Sequence, residues 1–290
     1  AITTIGSGSV TRRGPRDQDI TLTPAQLVEH AQHIASQLIT AGAQTGDCVM
    51  LVVGDPLAFA CGFWACQAAG LAAVPMPPMG SDMQQARTMA ALGVLENAWI
   101  IADDRATQDA LSVSEHSQGA FLLTGDTFGT LEGLDAGNHP LPKIDSHAIS
   151  VVMFSSGSTG APKGVDLSHR AIMAQVALLQ KGLSLTPSDR FMNWMPMSHD
   201  FGLFHFHILP LLSAVPQMLM APEEFSRRPI SWVRAMSDFK ATHSGAPNLA
   251  LEIVANVIKP ERAAQFNLSH MRGITLGAEP LVPANLTRFA

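Results

Sequence analysis

The chain has 290 residues, of which 47% are hydrophobic and 14% are charged, and its formal net charge is −6. This length and composition allow one or two domains with a large buried core, and without a cluster of basic residues we do not expect a nucleic-acid partner. Residues 56–81 carry no charge and are numerous enough for a membrane span. Because Gln67 interrupts this stretch and a proline-rich run ends it, the pattern is more typical of a buried helix followed by a strand.

The three cysteines, Cys48, Cys61 and Cys66, stand in apolar sequence and lack the spacing of metal ligands. They are typical of reduced core residues in a cytoplasmic protein. The first residues do not have the pattern of a secretory signal peptide, which also predicts a cytoplasmic location.

Residues 1–19 are polar and rich in glycine, arginine and aspartate, which predicts a loose N-terminal arm. Helix-like and strand-like patterns alternate from residue 20 onward. Thr23 predicts the N-cap of a first helix, and Asp55 predicts the start of a second that ends at Ala69. Further elements are predicted as strands at residues 49–53, 71–75 and 99–102 and a helix at 83–95.

This alternation predicts an α/β fold with parallel-sheet subdomains. We place a first subdomain at residues 20–123, a linker at 124–146 and a second subdomain at 147–290. The linker assignment rests on glycine, aspartate and proline without periodicity.

A loop rich in glycine, serine and threonine follows a predicted strand at residues 149–154 and precedes a predicted helix at 168–180, with Ser168 as its N-cap. The glycines let the backbone approach a ligand closely through positive φ angles, the hydroxyl groups add donors, and Lys163 adds a positive charge. Together these groups suit a polyphosphate. The candidate phosphate-binding residues are Ser155, Ser156, Gly157, Ser158, Thr159, Gly160, Lys163 and Gly164.

Two other interpretations of this loop are weaker. A flexible linker seldom carries a Pro-Lys-Gly end directly between a strand and a helix. A Walker loop needs Ser or Thr after its Gly-Lys pair, whereas here Pro162 precedes Lys163 and Gly164 follows it. The polyphosphate interpretation is therefore preferred.

Residues 155–164, Ser-Ser-Gly-Ser-Thr-Gly-Ala-Pro-Lys-Gly, resemble the phosphate-loop signature of the adenylate-forming enzymes. That family includes acyl-CoA synthetases, adenylation domains of peptide synthetases and fatty acyl-AMP ligases. Residues 68–78 are similar, more weakly, to a segment of the family's first subdomain. The resemblance implies an AMP-forming acid ligase that uses ATP and Mg²⁺.

Residues 190–196 predict a strand that leads to the polar pair His199-Asp200. From residue chemistry alone, Asp200 is typical of a helix cap. A zinc site formed by His199, His205 and His207 is disfavoured, because no two of these histidines stand four apart on one helix face.

Residues 194–203 resemble the segment of fatty acyl-AMP ligases that reads Trp-Leu-Pro and then His-Asp-x-Gly-Leu. The resemblance implies that His199 has a catalytic role and lines the acyl pocket beside the reacting carboxylate. Amino-acid adenylation domains also carry an aspartate near the position of Asp200, where it pairs with the substrate ammonium group. Gly202 and Leu203 favour the acyl-AMP ligase branch.

Residues 227–248 resemble the pattern Arg-Pro-x-x-Trp, a helix, and then Ala-Thr-x-Ser-x-x-Pro-Asn of the same branch. We expect a strand at 241–243 and a turn at 244–248, at the sheet edge where open α/β sheets bind ligands. Asn248 either caps a helix at 249–258 or lines the pocket, or does both. The candidate substrate-binding residues are His199, Asp200, Gly245, Ala246, Pro247 and Asn248.

A strand predicted at residues 272–276 precedes Gly277, Ala278 and Glu279, and the resemblance implies that these three residues border the adenine and the adenylate. The resemblance covers residues 20–290. The family's later elements, which include the main Mg²⁺ ligand and a catalytic lysine, are expected beyond residue 290. We therefore expect this fragment to be inactive on its own.

The resulting hypothesis is ATP-dependent activation of a carboxylic acid, specifically a fatty acid, as an acyl adenylate. The acyl group would pass to the phosphopantetheine thiol of an acyl or peptidyl carrier protein in polyketide or nonribosomal-peptide biosynthesis. The alternatives within the family are an acyl-CoA synthetase, with CoA as acceptor, and an amino-acid adenylation domain. The alternative outside the family is a non-catalytic binding module.

Overall fold

The structure is a computed structural model that describes residues 8–14, 18–95, 97–124, 128–137, 139–155 and 162–289. The strands are β1 (Val10–Arg12), β2 (Ile20–Leu22), β3 (Cys48–Val52), β4 (Ala72–Met76), β5 (Ala98–Ala102), β6 (Ser117–Leu122), β7 (Ile149–Ser155), β8 (Lys163–Ser168), β9 (Phe191–Asn193), β10 (Gln217–Leu219), β11 (His243–Ala246) and β12 (Gly273–Leu276). The helices are α1 (Pro24–Thr40), α2 (Pro56–Ala69), α3 (Asp82–Leu95), α4 (Arg105–Ser112), α5 (His169–Gly182), α6 (Leu209–Leu212), α7 (Pro222–Arg227), α8 (Ile230–Asp238), α9 (Asn248–Val257), α10 (Pro260–Ala263) and α11 (Pro283–Phe289), and a π-helix spans Phe201–Ile208. Two compact units result, the first centred on Ala25–Gln175 and the second joining Ile5–Pro24 to Val176–Ala290.

The first unit contains a sheet with the strand order β6-β5-β3-β4-β7-β8. Strand β8 runs antiparallel to β7, and the other described neighbours run parallel. Strands β3, β4 and β5 begin and end within a residue of their predicted bounds, because their continuous apolar runs are those of strands covered on both faces. The predicted α/β class with parallel sheets is confirmed.

Helix α2 is buried along its whole length. Asp55 caps it, since its Oδ1 accepts hydrogen bonds from the backbone N–H groups of Leu57 and Ala58, both at 3.0 Å. Residues 56–81 thus contain the predicted buried helix and strand. Within the described ranges, the helices are all too short or too polar to cross a membrane.

The cysteines of α2 are core residues, as predicted. Cys61 and Cys66 are buried, and burial raises the pKa of the Cys61 thiol to about 12. Cys48, at the start of β3, is only partly buried. A raised thiol pKa leaves little thiolate at neutral pH, so Cys61 is chemically quiet.

The second unit contains a sheet with the strand order β12-β11-β9-β10-β1-β2. Strand β1 corrects the prediction of a loose arm, because Val10 is 1% exposed and pairs with Gln217 of β10 in parallel register. A strand of three residues leaves no clear local pattern, and its partner lies far along the chain. As limits of subdomains, the predicted boundaries after residues 19, 123 and 146 stay a prediction.

Trp232 lies in the core of the second unit and joins α8 to two strands. Its indole Nε1–H donates to Ser244 Oγ of β11 at 2.9 Å, and the Ser244 hydroxyl donates to the Met192 carbonyl of β9 at 2.8 Å. The tryptophan and serine of the resemblance pattern at residues 227–248 are therefore bonded partners.

Asp189 and Arg272 tie together the amino ends of β9 and β12. The Arg272 Nη1 lies 2.8 Å from Asp189 Oδ1 and 2.6 Å from Oδ2. Burial raises the pKa of Asp189, but hydrogen bonds from Arg272 and Thr186 outweigh burial and hold it at about 2. The candidate site described below lies at the opposite, carboxyl edge of this sheet.

Candidate active site

The candidate phosphate loop joins two antiparallel strands of the first unit. In the β7–β8 pair, Ser155 lies opposite Lys163 and Phe154 lies opposite Gly164. The prediction that the loop runs directly into a helix is wrong, because β8 comes between the loop and α5. Ser168 does cap α5 as predicted, since its Oγ accepts a hydrogen bond from the Ala171 N–H at 3.2 Å. Five of the predicted site residues lie outside the described residues, namely Ser156, Gly157, Ser158, Thr159 and Gly160.

The described ends of this loop have a defined environment. Gly164 lies in a strand, and a Cβ at this position would lie 2.9 Å from Val152 Cγ1, so close packing rather than a positive φ explains this glycine. Lys163 is exposed. Arg87 of α3 donates from Nη2 to the Phe154 carbonyl at 3.2 Å, a contact that sequence reasoning missed. The arginine thereby supports the strand just before the loop begins.

Three predicted segments meet at the carboxyl edge of the second sheet. They follow β9, β11 and β12, which are neighbours and run parallel. The strand predicted at residues 241–243 is shifted, since β11 is His243–Ala246, so Gly245 and Ala246 lie in the strand rather than in a turn. The shift follows from the pairing of Ala246 with Leu276 in β12. Only Pro247 separates β11 from α9.

Asp200 caps the π-helix that follows β9. Its Oδ1 lies 2.6 Å from the Phe201 nitrogen, whereas His199 Nδ1 lies 3.2 Å away, so the carboxylate is the acceptor of this N–H. The same Oδ1 lies 2.7 Å from His199 Nδ1. The helix-cap interpretation of Asp200 is confirmed, although sequence reasoning did not predict a π-helix. One carboxylate oxygen therefore orients both the helix end and the histidine ring, and both side chains are exposed.

The π-helix packs against β11 and β12 through three successive contacts. The ring of Phe206 fills the space beside Gly245, where a Cβ would lie 2.2 Å from Phe206 Cζ. His205 Nε2 lies 3.3 Å from Thr275 Oγ1. The Phe201 ring lies beside Gly277, with its Cζ 3.8 Å from the position of a Cβ there. These contacts bring the residues after β9 next to those after β12. Gly245, a glycine inside a strand, was the sequence signal for the close contact with Phe206.

His205 and His207 are neutral structural residues of this helix. Burial, together with nearby His243, lowers the pKa of His205 to about 4, and burial lowers that of His207 to about 4 as well. His207 Nδ1 and Gln217 Oε1 are at hydrogen-bond distance, 2.9 Å apart, and both side chains are buried. Among the described residues, no group of three His, Cys, Asp or Glu side chains could hold a metal ion.

Asn248 and Glu279 connect the loops after β11 and β12. One of the two predicted interpretations made Asn248 the N-cap of α9, but Asn248 is the first residue of that helix. Its Oδ1 accepts a hydrogen bond from the Val282 N–H at 3.0 Å. Glu279 Oε1 accepts from the Leu249 N–H at 2.5 Å. Ala278, the residue directly before Glu279, has a φ of +69°. The structure thus places Gly277, Ala278 and Glu279 next to Asn248.

Comparison with known proteins gives consistent matches along the chain. A family model described as AMP-binding enzyme matches residues 9–290. The 4-hydroxyphenylalkanoate adenylyltransferase of Mycobacterium marinum is 31% identical over 275 residues, 93% of this chain and 44% of that protein. The medium-chain-fatty-acid–acyl-carrier-protein ligase JamA of Moorena producens is 28% identical over 274 residues, 91% of this chain and 45% of that protein.

Among solved structures, this chain is similar to the fatty acyl-adenylate ligase of Legionella pneumophila in complex with acyl adenylate and pyrophosphate. The TM-score is 0.88 at 25% identity, and the match covers 100% of this chain and 50% of that one. The chain therefore spans about half the length of the proteins it matches.

Proposed function

Since the chain belongs to the AMP-binding enzyme family, we propose that the complete protein uses ATP to activate a fatty acid as an acyl adenylate. A carboxylate oxygen of the acid attacks the α-phosphorus of ATP, and pyrophosphate leaves. Catalysis of this kind depends on positioning and on neutralising charge. The solved Legionella pneumophila ligase, which holds acyl adenylate and pyrophosphate, supports this reaction.

In this proposal three segments of the chain have separate roles. The hydroxyl and backbone groups of residues 155–160, together with Lys163, bind the β- and γ-phosphates of ATP. His199 orients the acyl carboxylate, and residues 277–279 border the nucleotide. Mg²⁺ accompanies ATP in this proposal.

The observation that carries the fatty-acid branch is the engagement of Asp200. Its Oδ1 caps the π-helix and lies beside His199 Nδ1, so this oxygen already has partners within the protein. An amino-acid pocket needs such a carboxylate for the substrate ammonium group, whereas an acyl pocket does not. The candidate acid-binding residues lie at or after the carboxyl ends of β9 and β11, and residues 277–279 follow β12.

We further propose a carrier-protein phosphopantetheine thiol as the acyl acceptor, in a polyketide or nonribosomal-peptide pathway. Support comes from JamA, a relative that is itself a fatty-acid–acyl-carrier-protein ligase. CoA is the second candidate acceptor, because acyl-CoA synthetases carry the same loop signature. Measuring acyl transfer from the adenylate to purified carrier protein and to CoA separates the two.

In the complete enzyme, Lys163→Ala is expected to slow the ATP-dependent step by about tenfold to a hundredfold, because one charge-assisted contact to phosphate is lost. The measurement is acid-dependent ATP–pyrophosphate exchange. Lys181→Ala, which removes an exposed lysine from the last turn of α5, is the matched control and should leave the rate unchanged. An unaltered rate in Lys163→Ala would show that the loop does not bind phosphate.

Asp200→Asn is expected to leave the choice of acid unchanged and to alter stability by about 1 kcal/mol or less, because asparagine also caps helices well. The measurement is pyrophosphate release with a panel of fatty, aryl and amino acids, for the wild type and the variant. Preferential activation of one amino acid, lost selectively in Asp200→Asn, would place the enzyme in the amino-acid branch instead.

A further inference from the structure

Ala278 has a backbone conformation that its side chain disfavours. Its φ of +69° lies in the left-handed region, where a Cβ crowds the following carbonyl oxygen. Residues held in this region persist where the surrounding structure determines them. Ala278 lies two residues after β12, at the carboxyl edge of the second sheet.

Two hydrogen bonds in opposite directions attach the residues that follow Ala278 to α9. Glu279 Oε1 accepts from the N–H of Leu249, in the first turn of α9, and Asn248 Oδ1 accepts from the N–H of Val282. The Asn248 side chain is 6% exposed, so its amide is fixed in the protein. The two bonds attach residues 279–282 to the start of α9, on the C-terminal side of Ala278.

The Glu279 carboxylate lies beside the N-terminal end of α9. The N-terminal end of a helix has unpaired N–H groups and a partial positive charge, so a carboxylate beside it is stabilised. The Glu279 side chain is therefore engaged with the start of α9 in this structure.

We propose that Glu279 is a positioning residue for the nucleotide. By bonding to α9, its carboxylate holds Ala278 in the left-handed conformation and so sets the backbone of Gly277 and Ala278 that borders the nucleotide, without contacting the nucleotide itself. This inference rests on the proposed ATP-dependent function. It distinguishes indirect support of the loop from direct binding by Glu279.

The test compares variants of both bonded partners in the complete enzyme. Glu279→Ala removes the acceptor. Leu249→Pro removes the donor N–H while Glu279 stays in place; proline is tolerated in the first turn of a helix, and the Leu249 side chain is 53% exposed. Each change is expected to raise the KM for ATP about tenfold, as the loss of a hydrogen bond to a charged group does. The KM for the acid, measured at saturating ATP, is expected to stay the same.

The double variant decides how Glu279 acts. If Glu279 works through the Leu249 N–H, Glu279→Ala combined with Leu249→Pro raises the KM for ATP no further than either single change. Glu279→Gln, which keeps an acceptor oxygen, recovers most of the wild-type KM. Additive effects in the double variant, or a Glu279→Gln as impaired as Glu279→Ala, would overturn the inference and indicate direct contact with the nucleotide.

Glu252→Ala is the matched control, because it removes another carboxylate of α9, one that lies 3.4 Å from Asn285 Nδ2 in α11. It should leave the KM for ATP unchanged, and thermal unfolding of every variant sets an assay temperature at which all are folded. A wild-type enzyme without ATP-dependent acid activation refutes the proposed function. An active wild type whose Glu279→Ala variant keeps a normal KM for ATP refutes only the inference.

Discussion

Gly202→Ala is expected to destabilise the second unit by about 3 kcal/mol, a large effect for the addition of one methyl group. A Cβ at this position would lie 2.2 Å from the Pro196 carbonyl oxygen and 2.9 Å from the Met195 carbonyl oxygen. These are backbone atoms, which cannot move aside as the end of a flexible side chain can. The residues leading to His199 must therefore shift, and acid activation by the complete enzyme should fall together with stability.

Chemical denaturation of the purified chain measures the first effect, and pyrophosphate release by the complete enzyme measures the second. Gly273→Ala is the control, because no atom of the described structure lies within 4 Å of a Cβ placed there. That change should alter the free energy of unfolding by about 0.5 kcal/mol or less. Equal stability of the two variants would contradict the close approach at Gly202.

Stability is expected to fall steeply as the pH is lowered from 6.5 to 4, with His207 as a main cause. Its side chain is 0% exposed, and burial lowers its pKa to about 4 although the hydrogen bond with Gln217 raises it in part. An unfolded histidine binds its proton near pH 6.5, so between these two values the unfolded state holds more protons than the folded state. The stabilisation present above pH 6.5 is then lost by about 1.4 kcal/mol per pH unit, or about 3 kcal/mol in total.

The measurement is the free energy of unfolding from urea titrations at several pH values. His207→Gln removes the titrating group, so the slope between pH 6.5 and 4 should decrease even if the variant is less stable at neutral pH. The control His270→Gln alters an exposed histidine and should leave the slope as it is. A slope that is the same in His207→Gln and in the wild type would rule out this assignment.

The elements that sequence reasoning found are those whose signal is local. The apolar runs of β3, β4 and β5 and the cap of α2 at Asp55 depend on neighbouring residues, so periodicity and composition reveal them. Strand β8 was missed because Lys163–Ser168 is largely exposed and has no apolar run of its own. It is a strand because β7 pairs with it, and pairing is not visible in the segment itself.

The candidate site likewise combines a contiguous motif, which the sequence reveals, with long-range contacts, which it does not. The motif around His199 and Asp200 is contiguous, so the resemblance to acyl-AMP ligases identified it. The contacts that position it, such as Phe206 against Gly245 and His205 beside Thr275, join residues far apart in the chain. No local pattern encodes such pairs, and the role of Asn248 as a partner of Val282 could not be predicted for the same reason.

A change of one residue in the length of the π-helix would alter which side chains face β11. Its backbone hydrogen bonds reach back five residues instead of four, as when the Leu209 N–H donates to the Phe204 carbonyl. Deleting one residue from this segment would restore α-helical spacing and turn every later side chain by about 100° around the helix axis. Phe206 would then leave Gly245, and another side chain would face β11. A change of one codon in length could therefore reshape the surface beside β11 in a single step, without altering His199 or Asp200.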